Sequence, residues 1–83
     1  MTWQERVATN PKVMGGAPVI RGTRVPVQTI IASLAEGDDV AHVAEQFLVT
    51  EEDVRAALAY AANVLDNVAE AAGRHDRLRK QHA

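Results

Sequence analysis

The sequence predicts a mainly α protein of three helices, two of them forming a helix-turn-helix, with a short N-terminal β-hairpin and a basic C-terminal extension. Three observations predict it. Apolar residues recur at helical spacing from Val27 onward, the stretch GGAPVIRGTRVPV at 15–27 is too broken by glycine and proline to be helical, and the TEED sequence at 50–53 has the form of a helix cap opening the longest periodic segment.

In the 15–27 stretch, Gly15, Gly16 and Gly22 permit positive φ, while Pro18 and Pro26 fix φ and remove donors, which suits a tight hairpin rather than a central strand. Arg21 and Arg24 flank Gly22 and Thr23 at the expected tip. Two readings are open there: a structural clasp, or a contact site presenting two guanidinium forks to an anionic partner.

Val27, Ile30, Ile31 and Leu34 then define a first helix, started at Pro26 and stopped at Gly37. Asp38 or Asp39 caps a second helix with Val40, Val43, Ala44 and Phe47 on one face. Thr50 and Asp53 open a third, whose core stripe is expected to run through Val54, Ala57, Leu58, Ala61, Leu65, Val68 and Ala72 and to end near Gly73. Residues 1–72 therefore form one domain and residues 73–83 a basic tail.

Between 40 and 58, a small residue at the helix crossing (Ala44) and apolar residues at Val43, Phe47, Val49, Val54 and Ala57 fit a helix-turn-helix. Leu48 departs from the pattern, occupying the turn position that glycine usually takes. The outward face expected of the last helix is Glu51, Glu52, Arg55, Ala56 and Ala59. Carboxylates are repelled by phosphate, so this helix is poorly equipped to read a major groove. Lys12, Arg21, Arg24 and the basic tail are the better candidates for phosphate contact.

Eighty-three residues allow one modest core: 15 of the 39 apolar residues are alanine, and the aromatics are Trp3, Phe47 and Tyr60. Around the third helix, Ala56, Ala59, Ala62, Val64, Ala69 and Ala71 leave more apolar or small surface than one small core needs. A homodimer with Ala59 and Ala62 in its interface is expected. The net charge of −2 divides unevenly: +3 over residues 1–35, −8 over 36–70 and +3 over 71–83. An anionic partner is thus expected to meet the first third or the tail. The chain has no cysteine, no export-type leader and no apolar run of membrane-spanning length, from which a cytoplasmic location without membrane attachment is expected.

Catalysis finds little support. His42 lies near the polar edge of the second helix, His75 and His82 are too widely spaced to share one metal, and Glu51, Glu52 and Asp53 are explained by helix capping. No enzyme activity, metal or other cofactor is expected.

The motif of Gly16, Pro18, Ile20, Gly22, Thr23, Arg24 and Pro26, followed by the acidic helix-turn-helix and LAYAAN, resembles the small bacterial family called domain of unknown function 433. The resemblance runs from about Asn10 to Tyr60. It implies a homeodomain-like or winged-helix-like fold and an antitoxin-type, noncatalytic role beside a nuclease of the PIN-like class. Such a nuclease gathers carboxylates around a divalent cation, and Arg74, Arg77, Arg79 and Lys80 have the sign to enter that pocket. The expected function is therefore neutralisation of a PIN-like nuclease toxin, with promoter-DNA binding for autoregulation. The competing readings are a DNA-binding regulator without a toxin, and a dimeric interaction module.

Overall fold

The computed structural model describes the backbone of residues 2–79, and the side chains of that range other than those of Met14 and of residues 69–79. A 3-10 turn at Trp3–Glu5 leads into β1 (Val7–Ala8). After β2 (Val19–Ile20) come three helices, α1 (Val27–Ala35), α2 (Val40–Phe47) and α3 (Glu51–Arg79). The helix-turn-helix expected from sequence is α2, the turn at 48–50 and α3.

The hairpin forms where the glycines and prolines place it. Thr23 N–H donates to the Ile20 carbonyl at 3.0 Å, closing a turn in which Gly22 has φ +80°. Ile20 N–H then donates to Val25 and Val27 N–H to Pro18, each at 2.9 Å, around a Val19–Pro26 bridge. β2 also pairs on its other edge with β1, antiparallel, in the register Val7–Ile20 and Ala8–Val19. This second partner was not foreseen from the sequence, because two residues are too few to show an alternating pattern.

Each helix is bounded by chemistry visible in its ends. Pro26 begins α1 with φ −68° and accepts at its carbonyl from the Thr29 N–H. Gly37, at φ +108°, ends it, as Gly37 and Asp38 return N–H donors to the carbonyls of Leu34 and Ser33. Asp39, rather than Asp38, caps α2, its Oδ1 accepting from His42 N–H at 2.8 Å. α2 ends on Leu48, whose backbone is left-handed (φ 57°, ψ 43°) and whose side chain is 91% exposed. Thr50 and Asp53 then exchange hydrogen bonds at 3.0 Å in both directions, a capping box with Asp where Glu or Gln is usual.

Val7, Ile20, Val27, Ile30, Val43, Ala44, Val54, Ala56 and Ala57 form the core, with Trp3, Phe47, Val49 and Tyr60 packed against it. Every apolar position of the helix-turn-helix pattern is accordingly buried or half-buried. Three expectations for α3 are corrected. Ala56, expected to face outward, is buried, because Trp3 and Arg6 of the N-terminal segment lie against Tyr60 and Asp53 on that side of the helix. Leu58, Leu65 and Val68, expected in the core, are 42%, 64% and 58% exposed. The domain covers only the first turns of the helix, so the stripe outruns it. α3 also continues past Gly73 to Arg79. A glycine inside a helix costs only about 1 kcal/mol, too little to stop one by itself.

Candidate functional site

Three surfaces carry the exposed chemistry of the domain. The first is the joint between the N-terminal segment and α3. Arg6 reaches Asp53 through Nη1 at 3.0 Å and Glu52 through Nη2 at 2.7 Å. Partial burial by itself raises the Asp53 pKa, but hydrogen bonds from the Thr50 N–H, Arg6 and the Thr50 hydroxyl, with the Arg6 charge, hold it below the ordinary carboxylate value. Arg6 in turn is held more firmly protonated, chiefly by its hydrogen bond to Asp53. Sequence reading missed this joint; its one signal was a lone arginine beside Val7 in an otherwise polar start.

The second surface is the hairpin turn. Arg21 folds back along the chain: Nε donates to the Glu5 carbonyl at 3.0 Å, and Nη2 to those of Gln4 at 2.9 Å and Val7 at 3.3 Å. Its guanidinium thereby fastens β2 to the segment before β1, as the clasp reading requires. Thr23 completes the turn, its hydroxyl donating to the Ile20 carbonyl at 2.7 Å and accepting from Val25 N–H at 3.0 Å. Arg24 is exposed and, among the described residues, its side chain has no hydrogen-bond or ion-pair partner. It lines a shallow cleft with Asn10, Gly22 and Thr23. Lys12, also exposed, lies two residues beyond Asn10, whose Oδ1 accepts from the Lys12 N–H at 2.9 Å. The three cations expected to meet phosphate thus divide into one clasp and two outward charges.

The third surface is the far part of α3. An apolar groove of about 370 Å³ runs between the helix and the hairpin, with Pro18, Pro26 and Ile31 on one wall and Tyr60, Val64 and Leu65 on the other. Ala59 and Ala62, the expected interface alanines, are both exposed and by helical spacing share their face with the charged Arg55 and Asp66. Arg55 pairs with Glu51 at 3.2 Å, one turn back. The expected partner-binding residues Arg74, Arg77 and Arg79 lie on the α3 backbone, their side chains not described, and Lys80 lies outside the described residues.

His42 is exposed, with Nδ1 at 3.3 Å from Asp38 Oδ1; His75 and His82 have no described side chain. Among the described residues no group of three or more His, Cys, Asp and Glu is placed to hold a metal ion, and no helix is long and apolar enough to cross a membrane.

The parts define a small helix-turn-helix domain with an N-terminal hairpin clasp. The chain belongs to the family described as Protein of unknown function (DUF433), whose model matches residues 7–61. It is similar to the uncharacterized protein y4eO of Sinorhizobium fredii, 42% identical over 59 residues, which are 70% of this chain and 27% of that protein. Among solved structures it is similar to Rv2018 of Mycobacterium tuberculosis, with a TM-score of 0.62 and 29% identity over 69% of this chain and 27% of that one. The chain therefore spans about a quarter of the length of the two relatives it matches. The family match stops at 61, just where α3 leaves the domain and the groove begins.

Proposed function

We propose that this protein is an antitoxin-like, noncatalytic binding module of the cytoplasm that holds and neutralises a PIN-like nuclease. The observation that carries the reading is the course of α3. Among the described residues its buried side chains end at Ala57 and those from Ala62 to Val68 are exposed, yet the far half of the helix runs on to Arg79. That half carries exposed apolar residues first and then Arg74, Arg77 and Arg79, a sequence of chemistry suited to docking on a protein and presenting guanidinium groups to a carboxylate-rich pocket. Arginine suits that role because it pairs with a carboxylate bidentately. The test is coexpression with the product of the adjacent open reading frame and, where that product is a PIN-like nuclease, its cleavage of RNA with the full chain and with a chain ended after Ala72. The shortened chain is expected to fold and to lose most of its inhibition. Equal inhibition by both forms would move neutralisation to the globular body.

Autoregulation through DNA is the second part of the reading. Arg24 and Lys12 favour it, being exposed cations on one end of the domain, whereas the start of α3 presents Glu51 and Glu52. Contacts of this kind go to phosphate and position the protein without reading bases.

A further inference from the structure

We infer that the uncovered part of α3 pairs with α3 of a second copy of this chain, antiparallel, along a seam of Leu58, Ala61, Leu65 and Val68. The inference does not rest on the nuclease reading, gives to a second copy the apolar residues which that reading gives to a protein partner, and relocates the dimer contact expected around Ala59 and Ala62. These four residues are spaced three, four and three apart, the repeat that keeps one seam facing a partner helix. Three of them are large apolar side chains left 42%, 64% and 58% exposed in the single chain, and the fourth is an alanine that lets a second backbone approach. The seam continues into the groove through Leu65, so a helix laid along it also covers the apolar wall of Pro18 and Ile31. The face of Ala59 and Ala62 carries Arg55 and Asp66 instead, and burying it would desolvate both.

Charge selects the occupant and its direction. Residues 36–70 carry −8 and residues 71–83 carry +3. An antiparallel pair lays the basic end of each α3 beside the acidic body of the other copy, whereas a parallel pair sets body beside body and tail beside tail. The helix dipoles add to the same preference, since each negative C-terminal end then lies near a positive N-terminal one. Matching Leu58 with the second copy's Val68, and Ala61 with its Leu65, places the two-fold axis near Asn63 and sets large against small at the centre. Such a contact is isologous and closes at two.

The absence of native cysteine makes the pairing directly readable. Two variants, Leu58→Cys and Val68→Cys, are oxidised separately and as a mixture. The antiparallel seam predicts a disulfide-linked heterodimer in the mixture and little linkage of either variant alone. Self-linkage of both variants at comparable rates would show a parallel pair and overturn the proposal. Light scattering over a dilution series supplies the second measurement. The full chain is expected to be dimeric at tens of micromolar, Leu65→Glu monomeric with unchanged helicity by circular dichroism, and the chain ended after Ala72 dimeric but with a weaker response to salt. A monomeric full chain that becomes a one-to-one complex only with the nuclease would overturn the second copy as occupant. It would leave the nuclease reading standing.

Discussion

Arg6 and Asp53, 47 positions apart in sequence, meet at 3.0 Å, and the same carboxylate that receives the guanidinium on Oδ1 receives the Thr50 amide on Oδ2. One side chain thus closes the cap of α3 and fastens the N-terminal segment to it. Because the folded Asp53 pKa lies below its unfolded value, the stability it contributes is complete above the ordinary 3.8 and is lost as pH falls through the lowered folded value. Melting temperature should therefore fall on acidification below about pH 4. The Asp53→Asn variant should be less stable at neutral pH and lose less on acidification. Asp53→Ala should cost about 1 kcal/mol in urea unfolding, the usual worth of a capping partner.

Gly22 has φ +80°, and a Cβ built there would meet no atom within 4 Å. Any penalty for substitution is thus backbone strain and not a clash with neighbours. Gly22→Val should destabilise by roughly 1 kcal/mol or more, and Gly22→Asn by much less, since Asn tolerates the left-handed region. Equal melting temperatures for the two variants would show that the turn relaxes at no cost.

Leu48 is the opposite case, a branched side chain held left-handed at φ 57° while lying 91% exposed. Leu48→Gly gives up almost no buried surface and relieves a conformation that costs roughly 1 kcal/mol for an L-residue. The variant should be more stable by about that amount less the entropy glycine adds to the unfolded chain, a gain of several tenths of a kcal/mol. Thermal unfolding of the variant beside the parent measures it.

The hairpin cations should separate by experiment. Arg21→Ala removes three donors to backbone carbonyls and should lower stability; Arg24→Ala should not. On DNA, Arg24→Ala and Lys12→Ala should each weaken binding uniformly across sequences and reduce the salt slope by roughly one counterion per lost phosphate contact. Glu51→Gln with Glu52→Gln should tighten nonspecific binding. Loss of specific binding in that glutamine pair, with no effect at Arg24 or Lys12, would assign reading to α3.

The legible parts of this fold were those set by local chemistry. Pro26, Gly37, Asp39 and the Thr50–Asp53 pair mark helix ends with signals confined to a few neighbouring residues, and each stands where its side-chain chemistry puts it. Packing of the N-terminal segment was not legible, because Trp3, Arg6 and Val7 find partners at Tyr60, Asp53 and Ile20, far along the chain. That omission misplaced Ala56. For the exposed stripe, period gave the correct face of α3 but not its cover: Val54 and Leu65 read alike in sequence, and only the extent of the domain separates a core residue from an uncovered one. Arg21 and Arg24 make the same point in the turn, where identical side chains separated by one glycine and one threonine do different work.

Trp3 is the single tryptophan, and its indole meets the Tyr60 ring edge-on, with centroids 5.0 Å apart and planes at 76°. The chain therefore contains its own optical gauge. Tyrosine-to-tryptophan energy transfer and the Trp3 emission maximum report whether the first residues are seated on α3, at the level where the helix leaves the domain. Tyr60 also lines the groove, so a molecule entering it would meet the ring that Trp3 contacts, and occupancy should be readable from the emission of a residue outside the groove walls, without attaching a dye.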